Sequence, residues 1–65
     1  MYVKNYDNLI GKKVILTEKK ESMKGYFEIG SIVTIVDVDP MRGYSFEDDD
    51  GNKIIEAGFT GFDII

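Results

Sequence analysis

The chain has 65 residues and contains no cysteine, no histidine and no tryptophan. Without cysteine there is no disulfide or thiolate metal site, and without histidine there is no imidazole base or imidazole zinc ligand. The longest uninterrupted apolar runs, such as residues 14–16, are far too short to span a bilayer. Residues 1–7 also lack the continuous apolar core of a signal peptide. We therefore expect a cytoplasmic protein that does not insert into membranes.

The residues that remain offer little for catalysis. Ser22, Ser31 and Ser45 have no evident activating base. Asp37 and Asp39 alternate on one predicted strand, which suits paired carboxylates, but solvated strand residues explain that spacing more simply. The sequence therefore predicts no enzyme, no catalytic residues and no cofactor.

Short apolar or alternating segments separated by turn signals predict a single all-β domain. The five predicted strands are residues 12–18, 31–39, 43–48, 53–57 and 63–65. We expect residues 1–11 to form an N-terminal extension and residues 12–65 to form the domain. The polar segment 19–25 is expected to be a loop, since it is too long for a tight hairpin.

The alternation of side chains along the strands identifies the expected core. Its predicted members are Val14, Leu16, Phe27, Val33, Ile35, Phe46 and Ile64, with Phe62 beside them. Val36 and Val38 need a twist or a bulge to share that core. Tyr26 and Tyr44 are expected to be partly exposed, because their hydroxyl groups need water or a partner.

Two segments resemble SH3 domains. Phe27-Glu28-Ile29-Gly30 is similar to the Phe-x-x-Gly that opens the second SH3 strand, and residues 58–65 resemble the SH3 ending. The resemblance covers about residues 12–65. It implies a five-stranded SH3-like barrel with one short 3₁₀ turn in residues 58–62, before the last strand. Small barrels of this kind, including KOW-like and phage-encoded bacterial ones, serve many roles.

The departures from SH3 domains bear on function. Thr17 and Lys19 stand where the two groove tyrosines belong, and Thr60-Gly61 lies in the region of the usual proline. Recognition of Pro-x-x-Pro depends on packing prolines between such aromatic rings. Binding of proline-rich peptides is therefore not expected here.

Charge is distributed unevenly along the chain. Six lysines and three acids give residues 1–25 a net charge of +3, whereas two basic residues and nine acids give residues 26–65 a net charge of −7. The lysines that bracket the first predicted strand are Lys12, Lys13, Lys19, Lys20 and Lys24. On one edge they would form a phosphate-binding patch, which makes a KOW-like contact with RNA, the ribosome or DNA the alternative function.

The acidic run at residues 47–50 allows further interpretations. It lacks the ligand spacing of a calcium loop, so no metal site is predicted. A charged hairpin tip that keeps a sheet edge soluble is the simpler explanation. A third functional possibility is an acidic inhibitor that mimics nucleic acid.

The function that the sequence favours is a non-catalytic protein–protein interaction module of a small bacterial or phage-type protein, expected to be a monomer. The predicted partner-binding residues are Met23, Tyr26, Tyr44, Asp48, Asp49 and Asp50. For Met23 two interpretations stay open: it covers an end of the barrel, or it is an exposed, adaptable contact.

Overall fold

The computed structural model describes residues 6–65, and the side chains from Asn8 onward. A 3₁₀ turn, Tyr6–Leu9, precedes seven strands. The strands are β1 (Lys13–Leu16), β2 (Lys20–Ser22), β3 (Gly25–Phe27), β4 (Ile32–Asp39), β5 (Gly43–Glu47), β6 (Lys53–Ile54) and β7 (Phe62–Ile64). The prediction of an all-β chain is therefore confirmed.

The strands form two antiparallel sheets. Five strands make one sheet in the order β6-β5-β4-β1-β7, and β2 pairs only with β3. The predicted count of five strands is wrong, because residues 19–25 do not form a loop. They contribute to a hairpin in which Ser22 and Gly25 flank a two-residue turn. No strand pairing joins β6 to β7 within residues 6–65, so the larger sheet does not close into a barrel.

The segment before β7 contains no 3₁₀ turn, contrary to expectation. Gly58 is held instead against the start of β5: its N–H donates to the Arg42 carbonyl at 3.0 Å, and its carbonyl accepts from the Tyr44 N–H at 2.9 Å. These two bonds form an isolated parallel bridge between Gly43 and Gly58. The bridge fixes Gly58 against β5, and the φ of Gly58, +85°, is opposite in sign to that of a 3₁₀ turn.

The core lies on one face of the larger sheet, under the β2–β3 hairpin. Its buried apolar members are Val14, Leu16, Phe27, Val33, Ile35, Tyr44, Phe46 and Ile54. Six of the seven predicted core residues are among them, and Phe62 is partly buried against the cluster. Ile64 is the exception at 51 % exposed, because β7 is an edge strand with no further strand beside it.

The predicted irregularity in the longest strand is present. The pairing of β4 with β5 shifts register between Ile35 and Asp37, which is a β-bulge at Val36. Val38 is thereby returned to the core side, where it packs against the buried cluster. Asp37 is exposed.

The N-terminal segment packs against the sheet over its described part. Leu9 contacts the core cluster, and the N–H of Gly11 donates to the Ile35 carbonyl at 2.7 Å. Residues 1–5 of the predicted extension lie outside the described residues.

Candidate binding cleft

A cleft of about 600 Å³ opens between the β2–β3 hairpin and the turn that joins β5 to β6. The side chains that shape it are Lys24, Tyr26, Phe27, Asp48, Lys53 and Ile54. This volume is in the range of clefts that bind ligands or peptide side chains. We call this site the cleft.

The cleft has an apolar base and a polar, aromatic rim. Phe27 and Ile54 are 7 % and 4 % exposed and belong to the core, so they present only a small apolar surface to the cleft. Tyr26 is 54 % exposed on the rim, where the Lys19 ammonium lies 4.4 Å from its ring centroid. This cation–π contact orients the ring from one side and leaves much of its surface free.

Asp48 lines the opposite wall of the cleft, and its carboxylate accepts hydrogen bonds within the turn that joins β5 to β6. Its Oδ1 accepts from the N–H groups of Asp50 and Asn52 at 3.0 and 2.9 Å, and its Oδ2 accepts from Asn52 Nδ2 at 2.9 Å. The Asn52 side chain is the main reason that the pKa of Asp48 is lowered, and the backbone N–H groups of Asn52, Asp50 and Gly51 act in the same direction. Asp48 therefore holds the turn and is poorly available to an external cation.

The lowered pKa of Asp48 predicts a pH effect on stability. A carboxylate with a depressed folded-state pKa stabilises the fold above its unfolded pKa, near 3.8, and that contribution is lost as pH falls through the folded-state value. Asp48→Asn is therefore expected to be less stable than the parent near neutral pH. The difference in melting temperature should shrink as pH is lowered from about 6 to about 2. A difference that stays constant over this range would contradict the role assigned to the carboxylate.

The rest of the acidic run does not form a metal site. Within the described residues no three acidic, histidine or cysteine side chains converge to hold a metal ion. Asp49 lies 4.0 Å from the Lys13 ammonium, and Asp50 is exposed beyond the turn. The run is a hairpin tip whose members point in different directions.

The predicted partner-binding residues do not all share one surface. Tyr26 and Asp48 line opposite walls of the cleft. Met23 is next to Lys24 at the tip of the β2–β3 hairpin. Met23 has a relative exposure of 105 %, so the interpretation that it covers an end of the fold is wrong. The short two-residue turn carries the side chain away from the core.

Tyr44 does not belong to any exposed surface. The expectation that it is partly exposed is wrong, since only 4 % of it is accessible. Its ring packs edge-on against Phe59 and Phe62, each with ring centroids 5.6 Å away. These contacts between distant parts of the chain turn the tyrosine inward.

The lysines that bracket β1 do not form one patch. Lys20 is 5 % exposed, which removes it from any phosphate-binding surface. Lys13 pairs with Asp49, and Lys19 lies 3.8 Å from Glu21 while it covers Tyr26. Lys12 and Lys24 are exposed, but Lys12 precedes β1 and Lys24 lies in the turn between β2 and β3. The five lysines therefore do not form the single positive edge that was expected.

Lys20 has a structural role that sequence reasoning missed. Its ammonium donates to the carbonyl oxygens of Ala57 and Thr60 at 2.8 and 2.7 Å, and to Glu18 Oε2 at 3.1 Å. Lys20 stands opposite Phe27 in the hairpin, and residues directly opposite share a face of the sheet. That pairing was the signal, but it is visible only once the hairpin is recognised.

Sequence reasoning also missed Lys53 and Ile54 as cleft residues. They follow the turn that joins β5 to β6, and Ile54 pairs with Phe46. Alternation after the turn indicates that Ile54 faces the core. Alternation does not predict that the β2–β3 hairpin, which is distant in sequence, forms the second wall of the cleft.

Comparison with protein-family models, with curated proteins and with solved structures gives no match to this chain. In the part of the chain that the structure describes, no helix is long and apolar enough to cross a membrane. The functional inference therefore depends on the geometry of the cleft.

Proposed function

We propose that this chain is a non-catalytic protein–protein interaction module with an SH3-like fold, and that the cleft is its binding surface. The observation that carries the proposal is an exposed aromatic ring and two lysines, Lys24 and Lys53, grouped around an apolar base. Binding surfaces of proteins commonly combine an aromatic anchor with a polar rim.

The SH3-like assignment is supported by the strand order. The larger sheet, in the order β7-β1-β4-β5-β6, has the five strands that the resemblance implies, with the first and last strands of the sheet in chain order side by side. The β2–β3 hairpin then occupies the position of the long SH3 loop after the first strand. The fold supports docking by its loops without specifying a ligand.

Distribution of charge favours a protein over a nucleic acid as the partner. The net charge is −4, and Lys13 and Lys19 are each close to an acidic side chain. Mimicry of nucleic acid is disfavoured by the acidic turn, because Asp48 binds its own backbone and Asp49 pairs with Lys13. Both alternatives remain outcomes of the experiment below.

The proposal predicts that two side chains near the cleft matter for capture and not for stability. Met23→Ala and Tyr26→Ala should each leave the free energy of unfolding within about 1 kcal/mol, because both side chains are mostly exposed. Each should weaken capture of a protein from a bacterial lysate by immobilised chain. Unfolding in urea and quantitative pull-down measure the two effects.

Met41→Ala is the matched control for Met23→Ala. Met41 is also a methionine in a turn, 89 % exposed, but it lies between β4 and β5, whereas Met23 lies between the cleft residues Ser22 and Lys24. Equal losses of capture in both methionine variants would contradict a specific role for the hairpin tip. Salt-sensitive retardation of nucleic acid, abolished by charge reversal at Lys12 and Lys13, would replace the proposed function with the alternative.

A further inference from the structure

The cleft follows a strand edge, not a sheet face. Lys53 and Ile54 of β6 and the whole of β3 line it, whereas no residue of β5 does. β6 is the outermost strand of the larger sheet on that side. A ligand in the cleft therefore lies alongside β6, in the position that a further strand of the sheet would take.

The main chain of Lys53 is available at that edge. The Asp48 N–H donates to the Asn52 carbonyl at 3.0 Å, so alternation in an antiparallel ladder makes Phe46 and Ile54 the next hydrogen-bonded pair. Lys53, opposite Glu47, is a non-hydrogen-bonded position, and its N–H and C=O point away from β5. Within residues 6–65, β6 pairs only with β5, and neither group of Lys53 takes part in a turn or loop hydrogen bond between backbone atoms.

Strand β3, on the opposite wall of the cleft, also has a backbone N–H and C=O that point away from its partner strand. Ser22 and Gly25 flank the two-residue turn and form the hydrogen-bonded pair there, which leaves Tyr26 in the alternate position. The N–H and C=O of Tyr26 therefore point away from β2. An extended chain is the ligand that complements such donors and acceptors.

The charges of the cleft favour an acidic ligand. In the part of the chain that the structure describes, no ion pair or hydrogen bond engages the ammonium of Lys24 or Lys53. The carboxylate of Asp48 is occupied by Asn52 and the turn backbone. The cleft lining therefore carries two ammonium groups and one carboxylate, a net charge of +1, although the whole chain has a net charge of −4.

We infer that the cleft binds an extended, acidic segment of a partner protein, which adds as a strand to the open edge of β6. This inference depends on the proposed function. The segment's main chain pairs with Lys53, its carboxylates meet the ammonium groups of Lys24 and Lys53, and a small apolar side chain covers Ile54 and Phe27. A strand added at an edge obtains affinity from main-chain bonds and specificity from alternate side chains.

The test begins with selection from a random library of short linear peptides against the full chain. The expected binders are rich in aspartate and glutamate next to apolar residues. Two versions of the best binder are then made, in which alternate backbone amides are N-methylated in one register or in the other. Pairing with a strand edge should make one register lose affinity by about tenfold or more, while the other keeps it.

Amide signals and a charge reversal locate the contact. On binding, the amide of Lys53 should shift and exchange more slowly with solvent. Lys53→Glu should weaken the peptide by about tenfold, while Lys12→Glu, the same charge change at an exposed lysine that does not line the cleft, should have little effect.

The outcomes separate the inference from the proposed function. The selected peptides could bind in the cleft yet tolerate methylation in both registers, or carry no excess of acidic residues. Either result overturns the inference of an added acidic strand but is consistent with the proposed interaction module. Failure to select any peptide also overturns it, and lysate capture then decides the function separately. Peptides that shift only amides outside the cleft overturn both.

Discussion

Gly43→Ala is expected to remove a large share of the free energy of unfolding. Gly43 has a φ of +106°, and an added Cβ would overlap the carbonyl carbon, carbonyl oxygen and Cα of Gly58. Those are backbone atoms held by hydrogen bonds to Arg42 and Tyr44, so they cannot rotate away as a side chain would. The cost should exceed about 4 kcal/mol, against a total stability of about 3–10 kcal/mol for a chain of this size.

Circular dichroism and unfolding in urea measure this loss, and Gly51→Ala is the matched control. Gly51 also has a positive φ, +87°, but a Cβ there meets nothing within 4 Å. Only the conformational cost of a left-handed residue applies, about 1–2 kcal/mol. Similar losses in both variants would show that φ, and not the close approach of the two glycines, controls the effect.

Lys20→Met is expected to destabilise the fold by about 2–4 kcal/mol. Methionine retains an unbranched apolar stem but removes the ammonium, which leaves the carbonyl oxygens of Ala57 and Thr60 without their donor. Hydrogen bonds to a charged group contribute about 1.5–3 kcal/mol each, and an unpaired buried acceptor costs about 1–3 kcal/mol. Removal of the desolvated charge offsets part of that loss.

The control is Lys19→Met, at the adjacent residue. Lys19 is exposed and makes only a 3.8 Å ion pair with Glu21 and its contact with Tyr26, so its replacement should cost less than about 1 kcal/mol. Unfolding in urea compares the two. If Lys20→Met were as stable as the parent, the desolvation of the ammonium would equal everything that its hydrogen bonds contribute.

Lys20 also connects stability to the cleft. Its bonds to Ala57 and Thr60 attach the β2–β3 hairpin to the segment before β7, and that hairpin supplies the wall containing Lys24 and Tyr26. The Lys20→Met variant should therefore bind a cleft ligand more weakly even under conditions where it remains folded. Lys19→Met, which leaves the attachment intact, provides the comparison.

Local patterns in the sequence determined much of the sheet. Alternation along residues 12–18 and 31–39 identified Val14, Leu16, Val33 and Ile35 as core, and all four are buried. The hairpin tip expected at the acidic run is also present, because its signal, Asp50-Gly51 between two predicted strands, lies within a few residues. A twist or a bulge in β4 was predicted from a local pattern as well, because two apolar side chains broke the alternation, and the structure has a bulge.

Tertiary structure alone decided the features that bear on function. Lys20 is buried through bonds to residues 37 and 40 positions away, and residue type alone does not distinguish it from the exposed Lys19. Tyr44 is turned inward by Phe59 and Phe62, while Tyr26 keeps its surface on the cleft. Periodicity specifies which face of a strand is apolar. Contacts between distant segments then decide which faces and edges pack together. The cleft forms because such contacts place β3 near β6.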